Sequence, residues 1–355
     1  MAKYYSSKKI RKLNAIYNMI MGQRSNGKTY DWVEDVLNNY SKYGDRGAYI
    51  RRYDAEIAPK NLTKLIEPHN IEKITNGKWN SFEYKKNQFI LCIRVDGEIV
   101  ARDEQSFMDV YALNTWETSK GADRGVVKSI CFDEFMTRKA YLKDEFVIFT
   151  QVLSSIIRDR DDVKIFMLAN TVNKYCPYFE EMGLYNVENM KPGDIELYDF
   201  GTSGLTIAVE LCAESENTKK VKKFFAFDNP QLEMITTGKW EIALYPKSPC
   251  KFTNDDILKR FYINFNNKIV AGDIIKTSSH FFIFYYYYTG DHEIDNEDIV
   301  YLQKHDGAIM HCKHLSDAPT EYHKLIAKLI NDEREFYSNN EVGEVVRNWK
   351  LNALR

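Results

Sequence analysis

The chain has 355 residues, of which 44% are apolar and 28% charged, and its formal net charge is −2. This composition is typical of a soluble globular protein of about two or three domains. A near-neutral charge excludes a global basic field, so binding to nucleic acid would need a local basic patch.

Cysteine usage and apolar runs indicate the compartment. Six cysteines are scattered without a C-x-x-C pair, which favours a reduced, cytosolic protein. The basic start MAKYYSSKKIRK is not followed by the apolar segment of a signal peptide. No apolar run reaches the roughly 18 residues that a membrane-spanning helix needs, so we expect no membrane partner.

Residues 18–29, NMIMGQRSNGKT, carry the P-loop pattern G-x-x-x-x-G-K-T. The apolar run at residues 16–21 predicts a buried strand, and the apolar spacing over residues 30–40 predicts a helix. In that context the loop N–H groups and the helix N-terminus form an anion site for phosphates. Lys28 would reach the β- and γ-phosphates, and the Thr29 hydroxyl would bind Mg²⁺. The predicted nucleotide-binding residues are Gly22, Gln23, Arg24, Ser25, Asn26, Gly27, Lys28 and Thr29. The alternative is an ordinary strand–turn–helix with a basic cap.

Strands and helices alternate after the P-loop, which predicts an α/β domain with a mainly parallel, helix-covered sheet. Asp96-Gly97 predicts a hairpin between strands at residues 87–95 and 98–102. The other predicted elements are strands at 47–53, 110–114, 125–135 and 163–169, and a helix at 145–158.

The texture of the sequence changes after Pro177, and we expect a second domain from about residue 235. Between the two regions, residues 205–213 predict a helix, and the charge run ESENTKKVKK follows. The elements predicted for the second domain are strands at 240–245, 260–265, 268–275 and 280–288, and a helix at 320–335. Asn266-Asn267 marks a hairpin between two of these strands.

Two acids follow the apolar strand in SICFDEF. In P-loop ATPases the Mg²⁺ needs a carboxylate at a neighbouring strand tip, and hydrolysis needs a group that orients or deprotonates water. Asp133 is predicted to be the metal-side acid and Glu134 the general base. Asn170 ends the strand VKIFMLAN, where additional-strand ATPases have a γ-phosphate sensor; a turn or cap residue is the alternative.

At this point the chain resembles the DNA-packaging ATPases of small tailed phages of the phi29 type. The matching stretches are MGQRSNGKTY, YIRRYDAE, ETSKGADRG before SICFDEF, IIRDRDDVKIFMLAN and VNKYCPYF, with a weaker match in KKVKKFFAFDNPQ. The resemblance implies an additional-strand P-loop ATPase domain of the FtsK/HerA-like kind at residues 1–195. It also implies a linker domain at 196–234 and a vestigial α+β RNase H-like nuclease domain at 235–355.

The resemblance also implies what the protein does. It would use ATP and Mg²⁺ to drive double-stranded DNA into a preformed procapsid. It would form a homomeric ring, usually a pentamer, on the portal, with a scaffold RNA as a further candidate partner. The expected location is the host cytoplasm and, transiently, the portal vertex, and not the mature virion.

Further site residues are carried over from the family. Arg158 matches the arginine that acts in trans on the neighbour's ATP, and Arg160 is the fallback candidate. Lys120 matches a lysine with a similar interfacial role. Arg24 matches an arginine that contacts the catalytic glutamate or a phosphate, with a solvated loop residue as its alternative. Asp133, Glu134 and Asn170 match Walker B, its catalytic glutamate and the sensor.

Several basic residues keep more than one interpretation. Non-specific DNA binding depends on phosphate contacts, and one basic cluster is suited to them, although a solvated helix end is equally possible. This cluster consists of Lys219, Lys220, Lys222 and Lys223. Arg51 and Arg52 are divided between a pore, an interface and a charged strand end.

The C-terminal region departs from a working nuclease. A two-metal nuclease needs an aspartate on its first core strand, and the strand FYINF offers Asn264 instead. Asp273 lies on the next strand, so we expect no nuclease activity. His311, Cys312 and His314 suggest zinc only weakly, because no second cluster accompanies them. Two functions compete with the translocase, namely a P-loop nucleotide switch with little turnover and a terminase with an active nuclease.

Overall fold

The computed structural model describes residues 5–119, 126–171, 173–213, 243–290, 293–303 and 306–353. The chain divides into two compact units, Met1–Trp240 and Glu241–Arg355. The predicted linker domain at residues 196–234 stays a prediction, because most of it lies outside the described residues. Within the described parts of the chain, no helix has the length and apolar character needed to cross a bilayer.

The first unit is an α/β domain built on one sheet. Its strands are β1 (Tyr17–Gly22), β2 (Arg46–Arg51), β3 (Ser81–Lys85), β4 (Gln88–Val95), β5 (Glu98–Ala112), β6 (Val127–Asp133), β7 (Lys164–Asn170), β8 (Ile195–Asp199) and β9 (Thr206–Leu211). Its helices are α1 (Lys8–Arg11), α2 (Lys28–Tyr43), α3 (Pro59–Ile66), α4 (Ile71–Ile74), α5 (Glu145–Ile157) and α6 (Pro177–Glu181).

The described strands of this unit lie in the order β3-β4-β5-β2-β6-β7-β1-β9-β8. The central strands run parallel, and β7 stands between β1, which leads into the P-loop, and β6, which ends in Asp133. β7 is thus an additional strand between the P-loop strand and the strand that ends in the paired acids, which is the arrangement of the predicted additional-strand class. The predicted fold class is confirmed. This order also places the carboxyl ends of β1, β7, β6 and β2 side by side at one edge of the sheet.

Both faces of the sheet are buried, which explains why the central strands are continuously apolar. Met19 and Met21 of β1 pack into one hydrophobic cluster, and Ile20 packs into the cluster on the opposite face. Fully burying each such side chain contributes about 1.5–3 kcal/mol. The two clusters together hold β1, and with it the start of the P-loop, in a fixed position.

The helix predicted at residues 205–213 is wrong, because this segment contains strand β9, which pairs in parallel with β1. Ile207 and Val209 pack on one face of the sheet while Ala208 packs on the other, which is the two-residue period of a strand. The sheet therefore extends past residue 195, where we predicted that the ATPase domain ends. The strands predicted at 98–102 and 110–114 are also parts of one long strand, β5.

The second unit is an α+β domain, as predicted for this region. Its elements are β10 (Ile257–Phe265), β11 (Lys268–Lys276), β12 (Phe281–Tyr287), β13 (Val300–Leu302), β14 (His311–Cys312), α7 (Glu321–Asn331), β15 (Glu335–Tyr337) and α8 (Asn340–Ala353). Its described strands lie in the order β14-β13-β10-β11-β12-β15. The hairpin predicted at Asn266-Asn267 is present between β10 and β11.

The strand predicted at residues 240–245 is not found at 243–245, the part that the structure describes. The backbone N–H of Ala243 donates to Glu344, and that of Tyr245 donates to Asn340. These N–H groups are thus satisfied by side chains of α8 rather than by a neighbouring strand. The predicted helix at 320–335 ends at Asn331, and Glu335 belongs to β15.

Candidate nucleotide site

The register of the parallel strands brings the predicted site residues together. Gly22, the last residue of β1, is paired with Asn170, the last residue of β7. Asp133, the last residue of β6, is paired with Leu168 on β7. Because parallel strands end at the same edge, the P-loop, the predicted sensor and the predicted acids converge from separate parts of the sequence.

The P-loop needs glycine at two positions. Gly27 has φ +97°, a left-handed conformation that other residues rarely adopt. A Cβ at Gly22 would lie 2.7 Å from the Cβ of Cys212, so a side chain there would force the loop away from the residue that follows β9. Both glycines thus keep the loop close to the sheet and lead it into α2.

Lys28 is buried at the start of α2 and folds back over the loop. Its Nζ donates to the carbonyl oxygen of Gln23 at 2.8 Å and to Asn26 Oδ1 at 3.2 Å. Nζ also lies 3.5 Å from Asn170 Oδ1. Burial lowers the pKa of Lys28, while Cys212, Asp133 and Glu134 act in the opposite direction. The ammonium group is therefore held at the centre of the site, where an anion would compensate the cost of burial.

Thr29 and Asp133, the two predicted Mg²⁺ ligands, are in contact. The Thr29 hydroxyl donates to Asp133 Oδ2 at 3.1 Å, and the Tyr49 hydroxyl donates to the same oxygen at 2.7 Å. Burial raises the pKa of Asp133, and the nearby Arg51 guanidinium opposes that rise. Hydroxyl and carboxylate oxygens that lie close together are the type of ligand that Mg²⁺ prefers. The residues present therefore fit a Mg²⁺ ion.

Glu134 extends from the strand tip, with half of its side chain exposed and a left-handed φ of +57°. Its Oε2 accepts a hydrogen bond at 2.7 Å from Arg51, which also pairs with Glu56 at 2.8 Å. The predicted alternatives for Arg51 did not include this contact. No local sequence pattern indicates this contact, because it depends on the pairing of β2 with β6 in the sheet.

Arg52 has a structural role at the same edge. Its guanidinium makes a bidentate pair with Glu145, and it donates to the carbonyl oxygens of Glu134 and Phe135. Arg52 and Glu145 are both buried, and Tyr178 donates to the same carboxylate at 3.0 Å. This network fixes the backbone on which Glu134 stands. The pore and interface interpretations of Arg52 are wrong, because its side chain is buried in its own unit.

The converging residues enclose a cavity of about 370 Å³, which we call the P-loop cavity. It is lined by residues 24–30, Asp133, Glu134, Ala169 and Asn170. Gln23 contributes a carbonyl oxygen that accepts from Lys28, and Gly22 begins the loop. Arg24 is exposed at this cavity, but Glu134 is held by Arg51, and no described contact joins Arg24 to Glu134.

The two arginines after α5 differ in their surroundings. Arg158 is exposed and follows the helix directly, with a left-handed φ of +54°. Arg160 donates to the backbone carbonyl oxygens of Ile157, Ile156 and Val127. Arg160 therefore caps the end of α5 within its own chain, whereas Arg158 is directed to the surface. Neither residue lines the P-loop cavity.

Five predicted site residues lie outside the described part of the chain: Lys120, Lys219, Lys220, Lys222 and Lys223. Their roles at an interface or on DNA stay predictions.

The acids of the second unit are arranged differently. Asp273 lies within β11, directly opposite Arg260 of β10, and the two side chains make a bidentate ion pair at 2.7 and 3.1 Å. Tyr286 also donates to Asp273 at 3.0 Å. His311 bonds Asp306 and the carbonyl oxygen of Asp295. Among the described residues, no group of three potential metal ligands is present in either unit.

Comparison with known proteins finds viral DNA packaging proteins. The model of the podovirus DNA encapsidation protein (Gp16) family matches residues 1–225. The DNA packaging protein of Bacillus phage phi29 is 24% identical over 225 residues, which are 61% of this chain and 60% of that protein. The DNA packaging protein of Bacillus phage B103 is 26% identical over 172 residues, 48% of each chain. The chain thus aligns with about three fifths or less of these relatives' own length.

Two solved structures share the fold over nearly the whole chain. The Phi-28 gp11 DNA packaging motor has a TM-score of 0.55 at 16% identity and covers 100% of both chains. The bacteriophage Phi-29 viral genome packaging motor assembly has a TM-score of 0.55 at 18% identity, covering 97% of this chain and 96% of that one. The likeness extends to the second unit, which the family model does not reach.

Proposed function

Because the chain belongs to the podovirus DNA encapsidation protein (Gp16) family, we propose that it is the ATPase of a viral DNA-packaging motor. Hydrolysis of ATP in the P-loop cavity would drive double-stranded DNA into a preformed procapsid. One observation carries this proposal. The P-loop, two strand-tip acids and a sensor amide, from three separate stretches of sequence, line one cavity of about 370 Å³.

The phosphates are bound by the N–H groups of the loop and by Lys28. With a nucleotide bound, the ammonium exchanges its backbone carbonyl partners for the β- and γ-phosphates, since charge-assisted bonds to phosphate are the stronger ones. Asn170 lies within reach of the same ammonium and acts as the γ-phosphate sensor. Thr29 and Asp133 would hold a Mg²⁺ ion, which would supply neutralising charge for the phosphates.

Glu134 is the general base for water. It lines the cavity, and its backbone carbonyl oxygen accepts a hydrogen bond from Arg52. Arg52 is in turn held by Glu145. The Glu134 carboxylate is held by Arg51, which also pairs with Glu56 and lies 3.7 Å from Asp133 Oδ2. Arg51 is therefore a positioning residue, because it controls where the Glu134 carboxylate points before it accepts a proton. A protein that only switches between nucleotide states does not need such a base.

A homomeric ring would complete the site. The described cavity contains Arg24 and Lys28 as its cations, and Arg158 lies outside it on the surface. We propose that Arg158 reaches the ATP of a neighbouring subunit, and that Lys120 contributes at the same interface. The two solved structures with the same fold are packaging motors, which supports this assembly. A pentamer on the portal, and a scaffold RNA, are the expected partners in the host cytoplasm.

The second unit is proposed to have no nuclease activity. Asp273 is already satisfied by Arg260 and Tyr286, and Asn264 occupies the place of the first-strand acid. This arrangement argues against a terminase that cuts its own DNA. DNA contacts are assigned instead to the Lys219, Lys220, Lys222 and Lys223 cluster. Removing its four charges should weaken DNA binding and flatten its salt dependence.

The test is ATP hydrolysis by the full chain with and without double-stranded DNA, with parallel assays for DNA cutting in Mg²⁺ and Mn²⁺. The proposal predicts hydrolysis that DNA stimulates, and intact plasmid. Nucleotide binding without turnover would favour the switch, and metal-dependent cutting would favour the terminase. Either result would overturn the proposal.

A further inference from the structure

Tyr30 lines the P-loop cavity but has no role in the phosphate and metal chemistry above. It directly follows Thr29 in the first turn of α2, and 38% of its side chain is exposed. Large aromatic rings are normally buried more deeply than this, so an open ring beside a binding cavity is a candidate contact for a ligand.

A second ring supports Tyr30 from behind. His69, in the segment between α3 and α4, stacks on Tyr30 with ring centroids 4.1 Å apart and planes inclined by 16°. His69 is only 6% exposed, and neither of its ring nitrogens has a hydrogen-bond partner among the described residues. Burial lowers the pKa of His69 to about 4, so the ring is neutral near pH 7. The polar atoms of His69 thus do little here, and its ring face packs against Tyr30.

This packing covers one face of Tyr30 and leaves exposed surface at the cavity. Offset and parallel ring pairs are stabilising, and a ring already fixed by one stack loses little freedom when it makes another. The backbone of residues 28–30 carries the N–H groups at the start of α2, where the phosphates nearest the sugar would lie. A base attached through that sugar would then reach the Tyr30 ring.

We propose that Tyr30, backed by His69, is the stacking platform for the purine base of the nucleoside triphosphate. The proposal rests on the proposed function, because it assumes that the P-loop cavity holds the triphosphate. It assigns the base to aromatic stacking, a contact that favours purines over the smaller pyrimidine rings and that is separate from the phosphate contacts of Lys28.

The experiment measures binding of two probes to the full chain in the presence of Mg²⁺. ATP carries a base, and inorganic tripolyphosphate does not. The variants are Tyr30→Ala, which removes the ring, and Tyr30→Phe, which keeps the face and removes the hydroxyl. The matched control is Tyr43→Ala, because Tyr43 is an exposed tyrosine at the far end of the same helix.

Loss of one base–aromatic stack corresponds to roughly 5-fold to 150-fold in affinity. We therefore expect Tyr30→Ala to weaken ATP binding within that range and to leave tripolyphosphate binding unchanged. Tyr30→Phe and Tyr43→Ala should bind both probes like the parent. His69→Ala should weaken ATP binding in the same direction by a smaller factor, because Tyr30 loses its support.

Equal affinity of the parent for ATP and tripolyphosphate would overturn the base platform while leaving the P-loop assignment intact. An equal loss of both probes in Tyr30→Ala would also overturn it, because the ring would then support the loop rather than the base. Failure of the parent to bind either probe would instead overturn the proposed function.

Discussion

Both units have acidic residues in or next to strands of their sheet, but the surroundings of these acids differ. In the first unit, Asp133 and Glu134 lie at the end of a strand, beside a cavity and a buried lysine. In the second unit, Asp273 lies in the middle of a strand. Its carboxylate accepts two hydrogen bonds from one arginine and a third from a tyrosine hydroxyl. This difference makes the acids at the strand end the candidates for catalysis, whereas Asp273 is held in an ion pair within its sheet.

The basic partners differ in the same way. Arg260 joins its acid across neighbouring strands and fixes the hairpin of β10 and β11. Arg51 joins Glu134 at the sheet edge, where the acid is half exposed and lines the P-loop cavity. An ion pair with one exposed partner contributes little to stability, so its more useful effect is on orientation.

The largest effect expected in this comparison is that of Lys28→Ala. Removing the ammonium group leaves the phosphates without their central cation, and hydrolysis should fall to background. ATP binding should be measured by titration and folding by thermal unfolding. Lys42→Ala is the matched control, since Lys42 is an exposed lysine in the last turn of the same helix. Normal hydrolysis by a folded Lys28→Ala protein would show that the P-loop cavity is not the site of hydrolysis. The acids of the first unit would then no longer differ in role from Asp273.

Arg158→Ala should come next. In the assembled ring it should lower hydrolysis by about 10³- to 10⁵-fold, the effect of an arginine finger on transition-state charge. ATP binding by the isolated subunit should stay nearly intact. Mixing Arg158→Ala with Glu134→Gln subunits should restore some activity, because some interfaces then pair an intact arginine with an intact glutamate. Mixing that never restores activity would refute the action in trans.

Arg160→Ala is the matched control for this experiment. Arg160 bonds three carbonyl oxygens of its own chain, so its loss should destabilise the first unit by about 1–3 kcal/mol. At a temperature where the variant is folded, hydrolysis in the ring should be close to that of the parent. Denaturant unfolding and steady-state kinetics separate the two effects.

The sequence allowed much of this site to be predicted, because the P-loop, the strand before it and the paired acids are local patterns. Asn170 was predicted at the end of a strand, and its pairing with Gly22, which the structure adds, places it beside the P-loop. The contact of Arg51 with Glu134 depends on which strands become neighbours, and no local pattern encodes it. The error at β9 has a similar cause, because the segment TIAVEL becomes a strand through burial on both faces, beside β1.

A smaller effect is expected for Arg51→Ala. Without the guanidinium, the Glu134 carboxylate samples more orientations, and misplaced catalytic groups cost up to about 10²-fold in rate. The loss should fall on kcat, with KM for ATP little changed, and Arg51→Lys should recover part of it. A purely structural role would instead lower the unfolding temperature without changing kcat in the folded protein.

The smallest effect on hydrolysis is expected for Asp273→Asn. ATP turnover should be unchanged, because this acid belongs to the ion pair of the second unit. Stability should fall by about 1–2 kcal/mol, because the partly buried bond to Arg260 would then have a neutral acceptor. Urea unfolding measures this, with Asp255→Asn as the control at an exposed acid of the same unit. A loss of turnover would assign Asp273 a catalytic role and would contradict the comparison.

The central claim is that Glu134 is the base for ATP hydrolysis in the P-loop cavity. The most direct test compares ATP affinity and single-turnover hydrolysis between the parent and Glu134→Gln. The amide cannot accept a proton from water, so hydrolysis should fall by about 10²- to 10⁴-fold while ATP is still bound. Unchanged turnover per bound ATP would contradict the claim.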